Sequence, residues 1–293
     1  MSLLPDEIVS FRRYLKRRNY APNTRRSYLN DLEHFLRIVD KPVCQVTPQD
    51  VERFIEQQQA QGLAAKTINR RLAAVARLYT YLRQTDYPEL RVPVRPKLHY
   101  LKASDPLPRC LKAEEVERLF AVMDDPRDRA IFTLMLRCGL RVEEVATLEM
   151  ADVDLERQQL MVRAPKNRRD RVVYLALDAL QVLETYLARR GRADNPQVFL
   201  VPRGRGRGKG ISVRGIQKRL EHYAAQAGVE VTCHSLRHTF ASQLLENGAD
   251  MVTIQALLGH AQVSTTQRYA RVSNPKVRED YFRGMAKVLD QQR

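Results

Sequence analysis

The chain has 293 residues, and its 50 lysines and arginines exceed its 34 aspartates and glutamates, which gives a formal net charge of +16. A basic excess of this size favours a polyanionic partner, most often nucleic acid, with a merely basic globular protein as the alternative. No apolar run approaches the ~18 residues that a membrane-spanning helix needs, and residues 1–7 lack the features of a signal peptide. We therefore expect a cytoplasmic protein with no membrane segment.

The cysteines predict a reduced protein without a zinc site. There are four, and none forms a CxxC pair: Cys44, Cys110, Cys138 and Cys233. Their spacing fits no known arrangement of zinc ligands, so we predict no metal site. Cys233 precedes His234, which leaves a cysteine–histidine nucleophile as a minor alternative whose third partner is not apparent.

Residues 1–86 predict a small helical bundle. Apolar residues recur at helical spacing in 5–18, in 23–39, in a segment that opens at Thr47-Pro48, and in 66–83. Thr47 is a favourable N-cap, and proline suits the first helical position. Four amphipathic helices in so short a stretch are typical of a bundle.

The fourth predicted helix has a basic flank, which includes Arg70, Arg71 and Arg77. We predict that these arginines lie along a phosphate backbone, and a solvated cationic face is the equal alternative. Residues 87–108 contain five prolines and no helical period, so we predict an extended linker there. The second domain then spans 109–293.

The second domain predicts more helices and a small hairpin. Two strand-like runs, 160–162 and 172–175, flank the polar segment 165–170, which indicates a hairpin. A further short strand is expected at 197–201. The predicted helices are 111–123, 125–137, 142–148, 178–189, 212–226, 234–246, 250–258 and 275–290. Between them, 203–210 alternates glycine with cations. We predict that Arg205 in this segment contacts DNA, and a disordered loop is the equal alternative.

Candidate catalytic residues follow from the chemistry of their side chains. His234 and Arg237 lie three apart in a predicted helix, so a proton-transfer group and a planar cation share one face. Two guanidinium groups, those of Arg141 and Arg237, suit the non-bridging oxygens of a phosphodiester. With a tyrosine available as nucleophile, this set predicts attack on a phosphodiester.

Several short motifs follow one another along the second domain in an order that is typical of one protein family. In chain order they are Cys138-Gly139-Leu140-Arg141-Val142-Glu143-Glu144, Lys166 in the hairpin, His234-x-x-Arg237, Leu258-Gly259-His260 and Tyr269. A chain with this series resembles the tyrosine site-specific recombinases of the phage integrase family, close to the Xer and transposon-resolvase types. The resemblance implies a mainly α, two-domain fold: a four-helix SAM-like core-binding bundle and an α+β catalytic domain with a small antiparallel sheet.

The resemblance also implies roles for single residues. Tyr269 is expected to attack the scissile phosphate and form a 3′-phosphotyrosine, with His234 as base and no requirement for ATP or metal. Lys166 is expected to act as the general acid, although Pro165-Lys166-Asn167 departs from the Gly-Lys-Gly that is frequent in the family. His260 is expected to donate a hydrogen bond to a phosphoryl oxygen. Glu144, three residues after Arg141, is expected either to hold the Arg141 guanidinium or to support the histidine. The neighbouring Arg168 and Arg169 are predicted DNA contacts.

The implied assembly is four protomers on two duplex recombination sites, joined through the C-terminal helix 275–290. The tetramer is expected to be a homo-tetramer, or a hetero-tetramer with a second recombinase, with an accessory activator as a further partner. The alternative for this helix is that it folds back on its own core. The alternative functions are a type IB topoisomerase and a catalytically silent DNA-binding or architectural protein. The expected location is the cytoplasm, in association with the nucleoid.

Overall fold

A computed structural model describes residues 6–103, 109–163, 170–191, 193–259 and 275–290. The chain divides into two compact units, residues 1–106 and 107–293. It is mainly helical with one three-stranded antiparallel sheet, which confirms the predicted fold class. Within the described ranges, no helix combines the length and the apolar character that crossing a bilayer demands.

The first unit is the predicted four-helix bundle. Its helices are α1 (Asp6–Arg17), α2 (Pro22–Val39), α3 (Pro48–Ala60) and α4 (Ala65–Gln84). The central helix α4 contacts the other three and buries its apolar stripe against them. Thr47 caps α3 as predicted, because its hydroxyl accepts from the Asp50 amide while the Asp50 carboxylate accepts from the Thr47 amide.

The segment predicted as an extended linker differs from that prediction. It contains a short helix, α5 (Pro96–His99), and the side chains of Val94 and His99 are buried in the first unit. The Asn69 side chain of α4 donates to the Leu101 carbonyl at 2.8 Å and accepts from the Leu101 amide at 2.9 Å. Prolines restrict this backbone without preventing burial, so the segment packs on the bundle as far as Leu101.

The described residues of the second unit form the sheet and eight further α-helices. The strands β1 (Val153–Asp154), β2 (Gln159–Val162) and β3 (Arg171–Tyr174) pair antiparallel in chain order. The helices are α6 (Ala113–Ala121), α7 (Pro126–Arg137), α8 (Val142–Thr147), α9 (Leu177–Arg190), α10 (Val213–Ala227), α11 (Cys233–Glu246), α12 (Met251–Leu258) and α13 (Pro275–Asp290).

The predicted hairpin is confirmed as β2 and β3, whereas the predicted strand at 197–201 is wrong. That segment makes only two isolated bridges, Glu149 with Gln197 and Leu200 with Gly210. Each bridge pairs a single residue, so no ladder develops. The two-residue strand β1 was not predicted, since two residues show no alternation of polar and apolar side chains.

Helix α7 forms the centre of the second unit. Nearly every side chain from Arg127 to Arg137 is buried, and the helix contacts α8, α9, α10 and α11. A helix that is buried on all sides belongs to the core of its unit. The turn that follows α7, which contains Arg141, therefore begins at the core.

The C-terminal helix α13 packs on α11 and α12 of its own unit. Tyr281, Met285 and Val288 of its apolar face are almost fully buried there. The Tyr281 hydroxyl donates to the Arg137 carbonyl at 3.0 Å and accepts from the Ala176 amide at 3.1 Å. The face expected to dock into a neighbouring protomer is thus occupied by the protein's own core, as in the alternative in which the helix folds back.

Replacing Tyr281 with phenylalanine tests this packing. We expect Tyr281→Phe to lower the free energy of unfolding by about 1–3 kcal/mol, because one buried carbonyl and one buried amide lose their partner. Denaturant unfolding followed by circular dichroism measures the change. Tyr100→Phe is the control, since Tyr100 is exposed. Equal stability of both variants and wild type would show that α13 does not pack in this way.

Candidate active site

The turn between α7 and α8 depends on a glycine. Gly139 has a φ of +64°, and a Cβ at this position would lie 2.5 Å from the Phe240 ring of α11. Only glycine combines this backbone conformation with so close an approach. The turn brings Arg141 to the N-cap of α8.

Glu144 in the first turn of α8 fixes Arg141. Its carboxylate accepts from the Arg141 amide at 2.8 Å and from Arg141 Nη1 at 2.9 Å. The backbone and the side chain of one arginine are therefore held by one carboxylate. The Arg141 side chain remains partly exposed, with 25% of its surface accessible.

Arg171, the first residue of β3, makes the most extensive contact with Glu144. Its Nη1 and Nη2 donate to Oε1 and Oε2 of Glu144, each at 2.8 Å, in a bidentate ion pair. Its Nε donates to the Leu257 carbonyl at 2.6 Å. Our sequence reasoning did not select this residue. The predicted strand began at residue 172, and only the structure shows that Arg171 belongs to β3 and lies on the same strand face as the buried Val173.

Arg237 of α11 is buried and lies beside the same carboxylate. Its Nη1 is 3.9 Å from Glu144 Oε2 and donates to the Gly139 carbonyl, and its Nη2 donates to the Leu258 carbonyl. Arg237 thus joins the turn after α7 to the C-terminal end of α12. The structure brings three of the predicted site residues together: Arg141, Glu144 and Arg237.

Arg171 and Arg141 keep Glu144 ionised. Burial alone raises the pKa of this carboxyl group, but the hydrogen bonds and charge of Arg171, followed by the backbone and side-chain hydrogen bonds of Arg141, outweigh burial and lower the pKa to about 2. Glu144 is therefore an anion at every pH at which the protein is expected to function.

His234 occupies the first turn of α11, one turn before Arg237, and its side chain is exposed. Its ring meets the His238 ring edge to face, with centroids 4.3 Å apart. Burial, followed by the charges of His234 and Arg237, lowers the pKa of His238. The lowered pKa favours the neutral form of His238, whose ring lies against that of His234. Burial raises the pKa of Cys233 to about 11, which disfavours the cysteine–histidine nucleophile.

Lys166, His260 and Tyr269, like Arg168 and Arg169, lie outside the described residues. Val162 and Arg171, which flank the segment with Lys166, are partners in the β2–β3 ladder. His260 directly follows Gly259, where α12 ends in a left-handed conformation with a φ of +61°. Arg171 thus lies directly beyond the segment that contains Lys166, and it donates to the Leu257 carbonyl. Arg237 donates to the next carbonyl, that of Leu258, two residues before His260.

Two of the four described arginines predicted to bind DNA lie beside a buried aspartate of the first unit. Arg70 pairs with the buried Asp31, and Arg71 donates to Gln58 and lies 3.9 Å from Asp31. Burial raises the pKa of Asp31, although both arginines oppose that effect. The guanidinium groups of Arg70 and Arg71 are therefore held by side chains of the bundle.

The other two form no ion pair with a described residue. Arg77 donates to the Tyr20 hydroxyl at 2.6 Å on an exposed part of α4. Arg205 is exposed in a 3-10 turn over 204–206. The structure thus separates the six predicted DNA contacts into two arginines beside Asp31, two without an ion pair to a described residue and two outside the described ranges.

Comparisons with known proteins place these observations in a family. Residues 109–275 match the model of the phage integrase family, and residues 8–86 match that of the phage integrase N-terminal SAM-like domain. The tyrosine recombinase XerA of Thermococcus onnurineus is 34% identical over 281 residues, which cover 95% of each chain. The tyrosine recombinase XerC of Oceanobacillus iheyensis is 33% identical over 302 residues, which cover 97% of each chain.

Solved structures agree with this likeness. The crystal structure of XerA recombinase is 29% identical and gives a TM-score of 0.50, covering 94% of this chain and 97% of its own. A lambda integrase dimer bound to a COC′ core site is 17% identical and gives a TM-score of 0.72, covering 92% of this chain and 98% of its own. At 17% identity, the second comparison supports the fold alone.

The ion pairs of Glu144 predict a pH-dependent contribution to stability. A folded-state pKa of about 2, below the ordinary value of 4.5, stabilises the fold above pH 4.5, and that stabilisation is lost as the pH falls towards 2. Glu144→Gln should therefore lower the free energy of unfolding by roughly 2 kcal/mol near neutral pH, and by progressively less below pH 4.5.

Unfolding measured across this pH range checks the expectation. Glu221→Gln is the matched control, because Glu221 pairs with Arg214 on the surface and 59% of its side chain is accessible. A difference between wild type and Glu144→Gln that stays constant with pH would contradict the assigned charge state.

Proposed function

The chain belongs to the phage integrase family, with tyrosine recombinases of the Xer type among its relatives, and we propose that it cuts and rejoins duplex DNA through a 3′-phosphotyrosine. Site-specific recombination is the function this membership supports. One observation carries the proposed chemistry. The carboxylate of Glu144 accepts from the Arg141 side chain and lies 3.9 Å from Arg237 Nη1, so the two guanidinium groups lie on either side of one carboxylate.

Those two guanidinium groups are suited to a phosphodiester. Attack on phosphorus places additional negative charge on the non-bridging oxygens in the transition state. In our proposal Arg141 and Arg237 donate hydrogen bonds to these oxygens. Because contacts with protein groups already fix both side chains, little ordering remains when the phosphate arrives.

The remaining steps use the residues beyond the described ranges. Tyr269 attacks phosphorus, its phenolic proton passes to His234, and a bond forms between the tyrosine oxygen and phosphorus. The bond to the 5′-oxygen breaks, and Lys166 supplies the proton for that leaving group while His260 donates a hydrogen bond to a phosphoryl oxygen. A 5′-hydroxyl then attacks the phosphotyrosine in the reverse sense, so the reaction conserves the bond energy.

Strand exchange between two sites is favoured over the two alternative functions. The XerA and XerC relatives are named tyrosine recombinases, which supports exchange over the relaxation of supercoils by a type IB topoisomerase. A catalytically silent binding protein is disfavoured because the sequence contains the complete set of predicted catalytic side chains: Arg141, Lys166, His234, Arg237, His260 and Tyr269.

A cationic loop of the second unit is a further DNA contact in our proposal. Its four cations alternate with glycines: Arg203, Arg205, Arg207 and Lys209. The loop is ordered, since the Val201 amide donates to the Lys209 carbonyl at 2.8 Å and the Gly208 amide to the Val201 carbonyl at 2.9 Å. None of the four cations forms an ion pair with a described residue, so their charge is available to phosphates.

The proposed assembly is a tetramer on two DNA sites, built from this chain alone or with a second recombinase. The apolar face of α13 is buried in its own unit, so contact between protomers through this face requires α13 to leave that position. We place this reaction on DNA in the cytoplasm, associated with the nucleoid.

Covalent capture tests the chemistry and the nucleophile together. Wild type and Tyr269→Phe are incubated with nicked duplexes tiled across the DNA that flanks the gene, and the products are separated on denaturing gels. We expect a 3′-linked adduct with wild type, also in EDTA, and none with Tyr269→Phe, because phenylalanine lacks the attacking oxygen.

The control is Tyr100→Phe, which changes an exposed tyrosine and should form the adduct at the wild-type rate. DNA binding by Tyr269→Phe should stay within a few-fold of wild type. An adduct with Tyr269→Phe would exclude this residue as the nucleophile, and the absence of an adduct with wild type on every duplex would contradict the proposed reaction.

The cationic loop predicts a change in the salt dependence of binding. Replacing Arg205 and Arg207 together by alanine should reduce the slope of log K against log salt concentration by about 2, since each lost phosphate contact contributes roughly 0.9. Binding titrations at several salt concentrations measure the slope. Arg157→Ala is the control, because Arg157 is exposed on the β1–β2 turn beside Asp154. An unchanged slope would remove the loop from the DNA interface.

A further inference from the structure

We propose that Arg171 is a positioning residue that neutralises the charge of Glu144, and so leaves the full positive charge of Arg141 and Arg237 to the phosphate. The inference rests on the proposed function. It assigns a role to an arginine that is expected to contact neither the DNA nor the reacting atoms.

The geometry distinguishes Arg171 from the two phosphate-binding arginines. Arg171 engages both carboxylate oxygens of Glu144, each at 2.8 Å, whereas Arg141 engages one oxygen through its side chain and Arg237 stays 3.9 Å away. A bidentate pair is the strongest arrangement that a guanidinium and a carboxylate form. The charge of Glu144 is therefore matched mainly by Arg171.

Burial makes this pairing matter for the phosphate. The accessible fraction is 10% for the Arg171 side chain and 9% for that of Glu144, so solvent screens their charges weakly. Arg141, Arg171, Arg237 and Glu144 together carry a formal charge of +2. Without Arg171 the same cluster carries +1, and the carboxylate would repel the anion that the two arginines are expected to bind.

Arg171 also has a contact unrelated to this charge balance. Its Nε donates to the Leu257 carbonyl near the end of α12, next to the Leu258 carbonyl that Arg237 engages. Loss of Arg171 therefore disturbs the fold locally, and a slower variant alone does not identify the role. The electrostatic role differs in one respect: it requires that Glu144 be negatively charged.

A double-mutant cycle on Arg171 and Glu144 separates the two roles. The substrate is the nicked duplex that yields the covalent adduct with wild type, and the rate of adduct formation is measured at saturating protein. We expect Arg171→Gln to slow this step by about 10- to 100-fold, the usual range for a residue that supports a ligating group. In the Glu144→Gln background, the same replacement should cost less than about threefold, because no carboxylate charge remains to be neutralised.

Two further variants complete the design. Arg171→Lys keeps the charge and loses the bidentate geometry, so it should recover most of the rate lost in Arg171→Gln. Arg190→Gln is the matched control, since Arg190 also donates to backbone carbonyls, those of Asn195, Gln197 and Val198, and forms no ion pair with a described residue. It should react at the wild-type rate.

The outcomes are distinct. An equal cost of Arg171→Gln in both backgrounds, or a lysine variant as slow as the glutamine variant, would overturn charge compensation in favour of support for α12. A wild-type rate for Arg171→Gln would exclude any positioning role. Should Arg171→Gln lose its cooperative thermal transition, the rate of adduct formation by Arg171→Lys, compared with wild type, becomes the test. Absence of an adduct with wild type would instead refute the proposed function, and the inference with it.

Discussion

One buried carboxylate determines the geometry of the candidate active site. Glu144 accepts hydrogen bonds from the backbone of Arg141, from its side chain and from Arg171, and Arg237 lies beside it. Three guanidinium groups this close repel one another, so a compact cluster of them requires an anion within it. The N-cap position of Arg141, and with it the start of α8, depends on the same carboxylate.

The cluster also connects parts of the chain that are far apart in sequence. Arg171 brings β3 to α8 and to the end of α12, and Arg237 brings α11 to the turn after α7. Gly139 permits this closeness, since any side chain there would collide with Phe240. Because the predicted residues His260 and Tyr269 follow α12 in the chain, the same contacts set where that segment begins.

The sequence predicted features that depend on neighbouring residues more completely than those that depend on distant ones. The helices of the bundle and the Thr47 cap follow from local spacing and capping, and both were predicted correctly. The packing of 87–101 on the bundle and the position of α13 depend on surfaces far away in sequence, which periodicity does not report. The catalytic roles of all the site residues stay predictions, and the positions of Lys166, His260 and Tyr269 lie outside the described residues.

Arg171 illustrates the same limit within the site and shows why it matters for function. Its partners are 27 and 86 residues away, and the sequence alone does not distinguish it from its neighbours Arg168 and Arg169. A carboxylate that organises an anion-binding site has a disadvantage, because it repels the anion. If a third arginine matches that charge, as we propose, the carboxylate can orient the other two without weakening their attraction for a phosphate. The arrangement requires the desolvation of a buried ion pair, which is unfavourable for the stability of the fold.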